Sequence, residues 1–133
     1  MIGFVIDASA LIELVSGNPP DTALRRTALT GTGAAPELVD IEAASTVRRM
    51  VLSGLMPAEE GRDVLHDVSR TPISRTSHRP LLTRVWELRH AITAYDAAYV
   101  ALAERLDVPL LTCDAKLGGA IGHRAEILVY ARS

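Results

Sequence analysis

Apolar positions along the chain alternate between short unbroken runs and longer stretches of helical spacing. Gly3–Ile6 is short, apolar and β-branched, the pattern of a strand buried on both faces. Ala8–Ser16 places Ala10, Leu11, Leu14 and Val15 at helical spacing, and Gly17-Asn18-Pro19-Pro20 stops it. Asp21 reads as the N-cap of a second helix, Thr22–Leu29, closed by the loop Thr30-Gly31-Thr32-Gly33. An extended piece over Ala34–Pro36 leads into a helix over Glu37–Leu52 that ends at Gly54. Pro57 then opens a helix running to about Ser69. Ile73 and its neighbours mark a faint edge strand. Further helices are predicted from Pro80 to about His90 and over Tyr95–Leu106, and further strands over Pro109–Thr112 and Ile127–Tyr130. Short apolar strands alternating with helices predict an α/β fold with a mostly parallel sheet flanked by helices. With no linker, repeat or low-complexity segment, residues 1–133 are expected to form one domain.

Composition narrows the picture modestly. At 48% hydrophobic and 23% charged residues, the chain has the balance of a globular protein and not of a disordered one. It opens directly on a strand-like run, so no basic-then-apolar targeting segment is expected, and no apolar stretch reaches membrane-spanning length. The single cysteine, Cys113, excludes an internal disulfide and fits a reducing cytoplasm. Net charge is −2, so any attraction to nucleic acid must be local. Of the fourteen Lys and Arg residues, all but Lys116 are Arg, which suits bidentate phosphate contacts and equally reflects codon bias.

The chemistry lies in four acids. Asp7 ends the first strand and Asp114 follows the Leu110-Leu111-Thr112-Cys113 run, so both stand at strand carboxyl ends, the edge where parallel sheets bind ligands. Taken alone, Asp7 reads as a helix cap and Asp114 as a turn residue. Glu42 borders the apolar stripe of its helix, and Thr46 and Arg49 share its face. A solvated charge paired with Arg49 is the simplest account of it. Asp96 stands in Tyr95-Asp96-Ala97-Ala98-Tyr99-Val100-Ala101-Leu102-Ala103, a helix apolar nearly all round. A buried acid there needs a partner, and the helix dipole and a metal cluster fit equally well. Together the four suggest a Mg²⁺ or Mn²⁺ site, because converging carboxylates repel unless a cation neutralises them. Ser9 and Thr112 offer hydroxyls to the same place. Cys113 reads as a small buried residue, and the scattered histidines have no metal-ligand spacing. The absence of GxSxG, Walker and CxxC patterns disfavours triad, P-loop and zinc chemistry.

Four segments in order, Ile6-Asp7-Ala8-Ser9-Ala10-Leu11, Pro36-Glu37-Leu38 with Glu42, Tyr95 to Ala103, and Leu110-Leu111-Thr112-Cys113-Asp114-Ala115-Lys116-Leu117, resemble a PIN-domain protein of the VapC toxin type. The resemblance spans the chain. It implies an α/β/α sandwich, Mg²⁺- or Mn²⁺-dependent endoribonuclease activity, frequent homodimerisation and inhibition by a small VapB-type antitoxin. It places Asp7, Glu42, Asp96 and Asp114 at the family's acidic metal-binding positions, and Ser9 and Thr112 at its supporting hydroxyls. RNA contacts are expected from Arg48-Arg49, with Arg25-Arg26 and the Arg75, His78, Arg79 group as further options, each of which alone reads as a surface charge. Few aromatics are available for reading stacked bases. An apolar patch on the first two helices is expected to serve dimerisation or antitoxin docking. Two other classes compete. A non-catalytic interaction module of the same fold is one, and retention of all four acids speaks against it. A Mg²⁺-binding receiver domain is the other, and Ala8-Ser9 after Asp7 speaks against it, because that design needs adjacent acids there.

Overall fold

The apolar run that opens the chain becomes the centre of the sheet. In the computed structural model, which describes residues 1–133, five strands form one sheet: β1 (Ile2–Ile6), β2 (Thr32–Pro36), β3 (Ser74–Thr76), β4 (Leu110–Thr112) and β5 (Ile127–Val129). Their order is β3-β2-β1-β4-β5 and every neighbouring pair is parallel. Val5 lies opposite Ala34 on one side and Leu110 on the other. Val5, Ile6, Leu110 and Leu111 are fully buried, which stabilises the fold by about 1.5–3 kcal/mol for each such side chain.

Helices α1 (Ala8–Ser16), α2 (Thr22–Leu29), α3 (Leu38–Leu52), α4 (Ala58–Arg70), α5 (Leu82–Glu87), α6 (Ala94–Leu106) and α7 (Ala115–Gly118) supply the covering layers. Helices α1, α3 and α4 pack on one another, with α1 touching β4 and α3 touching β2. Helix α6 packs on β1, β2 and β4 and carries α5. The result is a three-layer α/β/α sandwich. Ala97 to Ala103 of α6 are all buried, as its all-round apolar pattern requires. No helix is long and apolar enough to cross a membrane.

Several elements depart from expectation for identifiable reasons. Thr32 and Gly33 belong to β2 and not to a loop, because bare Gly33 leaves room for the Phe4 ring: a Cβ there would stand 2.6 Å from it. The helix expected over 80–90 splits into a 3₁₀ turn, Arg79–Leu81, and the short α5. The amides of Ala91 and Ile92 both return to the Leu88 carbonyl, closing the chain in turns. Helix α7 had no periodic signature, being a single turn capped by Asp114. The faint strand β3 forms at the sheet edge because Arg75 anchors it. Its guanidinium donates to both Asp40 oxygens at 2.7 and 3.0 Å and to the Val68 and Thr71 carbonyls, so it is not free for RNA. The apolar patch expected on α1 and α2 is reduced to Leu29, which is exposed, with Leu14 and Val15 half-buried. Leu11, Ile12 and Leu24 are buried, and the exposed apolar side chains include Ile41, Leu52 and Leu55 on and after α3.

The α3–α4 packing depends on one missing side chain. A Cβ at Gly61 would meet Val51 Cγ2 at 2.9 Å and Val47 Cγ1 at 3.0 Å. Gly61→Val is therefore expected to destabilise the protein by about 2 kcal/mol in urea unfolding, despite removing a glycine from a helix interior.

Candidate metal centre

The sheet order fixes where a site can form. The chain runs outward from β1 to β2 and β3, then returns to add β4 on the other side of β1. The crevice at the carboxyl ends of β1 and β4 is thus a topological switch point, the place where open parallel sheets bind ligands. Asp7 and Asp114 flank it.

Asp7 is only 6% exposed and caps α1. Its Oδ1 accepts from the Ala10 amide at 2.9 Å and from Ser9 Oγ at 2.7 Å, and its Oδ2 accepts from Thr112 Oγ1. Each hydroxyl spends its one proton on Asp7 and accepts in turn from the backbone beyond β4. Ser9 Oγ takes the Cys113 amide at 2.9 Å and Thr112 Oγ1 the Asp114 amide at 3.0 Å. This frame suits a carboxylate, which accepts only, and it ties the end of β1 to the end of β4. Asp114 caps α7 by accepting from the Lys116 amide at 2.9 Å. Asp7 is thus the helix cap expected of it, whereas Asp114, expected to make a turn, caps a helix as well, and the two caps hold both carboxylates at the crevice.

Asp96 comes in from the first turn of α6, which Thr93 caps through the Asp96 amide at 3.2 Å. Glu42 comes from α3, and its Oε1 accepts from Tyr99 Oη at 2.5 Å. Tyr99 lies on α6, 1% exposed, and sequence reasoning passed over it as core. The available signal was that a buried Tyr needs a partner for its hydroxyl. Arg49 does not pair with Glu42. It donates to the Ser45 and Thr46 hydroxyls at 3.2 Å each, and it lines the same cleft while Arg48 lies outside.

All four acids line one cleft of about 840 Å³, and none of them is in an ion pair. Their electrostatics record the crowding. Burial pushes the Asp7 carboxyl above its ordinary range, and the Asp114 charge adds to this against the three hydrogen bonds. Burial likewise raises Asp96, helped by Asp114 and Asp7, and raises Glu42, helped by Asp96 and Asp7. No three of the His, Cys, Asp and Glu side chains converge into a finished ligand cage. The donor set still fits a hard divalent cation that retains water: oxygen donors only, an excess of negative charge and no protein cation paired with it. Cys113 takes no part. Burial, with the Asp7 and Glu13 charges, pushes its thiol up to about 11, so it is not a nucleophile at neutral pH.

Comparison with known proteins places the chain in a family. The PIN domain family matches residues 4–119. The chain is 39% identical over 127 residues to Ribonuclease VapC12 of Mycobacterium tuberculosis, covering 96% of this chain and 98% of that protein. It is 40% identical over 125 residues to Ribonuclease VapC1 of the same species, covering 92% and 94%. Among solved structures, PAE2754 from Pyrobaculum aerophilum superposes with a TM-score of 0.71 at 22% identity, over 95% of this chain and 83% of that one. VapBC2 from Rickettsia felis, bound to a DNA fragment from its promoter, superposes with a TM-score of 0.68 at 16% identity, over 98% and 99%. These two likenesses show a shared fold. The full-length match at 39–40% identity and the family match over most of the chain make it a member of the PIN-domain family, of the VapC type.

Proposed function

We propose that this protein is a Mg²⁺- or Mn²⁺-dependent endoribonuclease toxin that cuts RNA phosphodiester bonds and is held inactive by a small VapB-type antitoxin. One observation carries the reading: four carboxylates with no ion-pair partner share a cleft at the switch point of the sheet. The ribonuclease names of its relatives support the choice of RNA, and the VapBC structural neighbour supports the antitoxin. The protein works in the cytoplasm as a single domain over residues 1–133, and as a homodimer.

Asp7, Asp96 and Asp114 would hold the cation, directly or through its water, with Glu42 acting through water. When bound, the cation supplies Lewis-acid polarisation of the phosphate and a more acidic water. The chain's own contribution is positional. Ser9 and Thr112 fix the Asp7 carboxylate in one orientation, with both oxygens engaged. Tyr99 holds Glu42 Oε1, which leaves Oε2 to accept a proton from an attacking water. Asp96 has no ion-pair partner to swing toward, so its charge stays available to the cleft.

Incubating antitoxin-free protein with total cellular RNA in Mg²⁺ or Mn²⁺ tests the reading. Discrete fragments are expected that disappear with chelator and return when the metal is added back. Fragments that persist in chelator would refute metal dependence. Intact RNA in the presence of folded, metal-loaded protein would favour an interaction module.

A further inference from the structure

The acidic cleft is not the only depression that reaches the candidate centre. A second groove, of about 990 Å³, lies between the turns that join α5 to α6 and the segment around α7, and Asp96 and Asp114 line both. We propose that this second groove carries the phosphate backbone of a single-stranded RNA flank away from the four acids, held by Arg89 and Lys116. The inference rests on the ribonuclease reading and deepens it by assigning the path of the substrate.

Charge decides between the two depressions. Setting aside the four central acids, the cleft adds Glu13 and Glu60 to Arg49 and Arg132, which cancels. Arg49 is further committed to Ser45 and Thr46. Beyond the shared Asp96 and Asp114, the groove adds Arg89, His90 and Lys116 against Glu87 alone, and Glu87 is drawn to Arg84 at 3.4 Å. Neither Arg89 nor Lys116 is in an ion pair, and both are exposed. Of the two depressions, only the groove thus carries a positive balance beyond the shared acids, which is what draws a polyanion toward it on a protein of net charge −2.

The rim of the groove is prepared for a base as well as a phosphate. The Arg89 guanidinium sits 4.5 Å over the Trp86 ring and donates to the Trp86 carbonyl at 3.0 Å, so it is already ordered. Trp86 is 67% exposed, and an unstacked base settles on such a surface without sequence preference. It is also the only tryptophan in the chain, and it stands beside the groove against Arg89, so its emission reports on the surroundings of that side chain.

The test uses the full chain carrying Asp7→Asn, in Mg²⁺, with a single-stranded oligoribonucleotide of mixed sequence and about twelve nucleotides. Binding is followed by anisotropy across a salt series and by tryptophan emission. Trp86 emission is expected to change on binding. Adding Arg89→Ala and Lys116→Ala should weaken binding about tenfold at low salt and reduce the slope of log affinity against log salt by about 1.4, two single-strand phosphate contacts. Adding Arg62→Ala, on α4 and outside both depressions, should leave affinity within about twofold. Binding that the double substitution leaves unchanged, or that leaves Trp86 emission unchanged, overturns the assignment while the ribonuclease reading stands. No binding here, together with no cleavage by the wild type, overturns both.

Discussion

Replacing Asp96 with Asn is expected to lower RNA cleavage by on the order of 100-fold or more and, at the same time, to raise the melting temperature of the metal-free protein. The two effects share one cause. Burial, then the Asp114 and Asp7 charges, hold the Asp96 carboxyl above its ordinary range, and only the bond involving Thr93 opposes them. An acid whose folded value is raised stabilises the fold fully below its unfolded value of about 4 and loses that contribution as pH rises through the folded value. At neutral pH the ionised form is therefore a liability, and Asn removes it. Asp7 and Glu42 are displaced the same way. Metal-free wild type should accordingly grow more stable as pH falls from 7 toward about 4. Added Mg²⁺ at neutral pH should restore much of the same stability by offsetting the charges, by about 2.7 kcal/mol at a hundredfold excess over Kd. Thermal melts with and without chelator, beside cleavage rates, check all of this. A folded Asp96→Asn protein that cleaves at the wild-type rate, or one that melts below the wild type, would refute the assignment.

The second large effect is on the fold alone. Arg84→Ala is expected to destabilise the protein by about 3 kcal/mol at neutral pH, because it strands a buried charge. The Arg84 fork donates from Nε to Glu104 Oε1 at 2.7 Å and from Nη2 to Oε2 at 2.9 Å, and the Glu104 side chain is 2% exposed. What remains in the variant is the Arg124 amide at 2.8 Å and a distant, mostly exposed Arg124 side chain. The sign against pH is opposite to that of Asp96. The Arg84 hydrogen bond holds the Glu104 carboxyl below its ordinary range, so its stabilisation is present above about 4 and is lost as pH falls through the lowered folded value. The gap between variant and wild type in urea unfolding should thus shrink in acid. A loss under about 1 kcal/mol at pH 7 would show that the pair contributes no more than a surface one.

Much of this architecture is legible in the residues, and the illegible part has a physical pattern. Asp7 and Asp114 are readable because strand carboxyl ends are defined by local runs, and parallel topology forces those ends to one edge. Asp96 is readable because an acid in an all-apolar helix is an anomaly wherever it occurs. The Glu42–Tyr99 and Arg84–Glu104 contacts are not readable, since they join residues on different helices whose mutual orientation no periodicity encodes. Arg49 shows the complementary failure. Helical spacing states which residues can meet, but not which neighbours compete, and Ser45 and Thr46 took its donors before Glu42 did. Strand β3 was faint because its stability comes from the Arg75–Asp40 fork and not from apolar residues.

The hydrogen bonds that join Asp7 through Ser9 and Thr112 to the end of the neighbouring strand β4 also set a timetable. Val5 pairs with Leu110, and Ile6 with Leu111. Asp7 receives its third hydrogen bond from a residue 105 positions downstream. While the chain is still being made, the opening strand has a partner on one side only, and the crevice has one wall. No ribosome-bound intermediate that lacks residues 110–114 can assemble the four acids, however long its earlier helices have had to fold. The candidate centre can therefore close only after most of the chain has emerged, with α7 and β5 alone still to follow, and the first contacts that an emerging partner would meet are those of helices already in place.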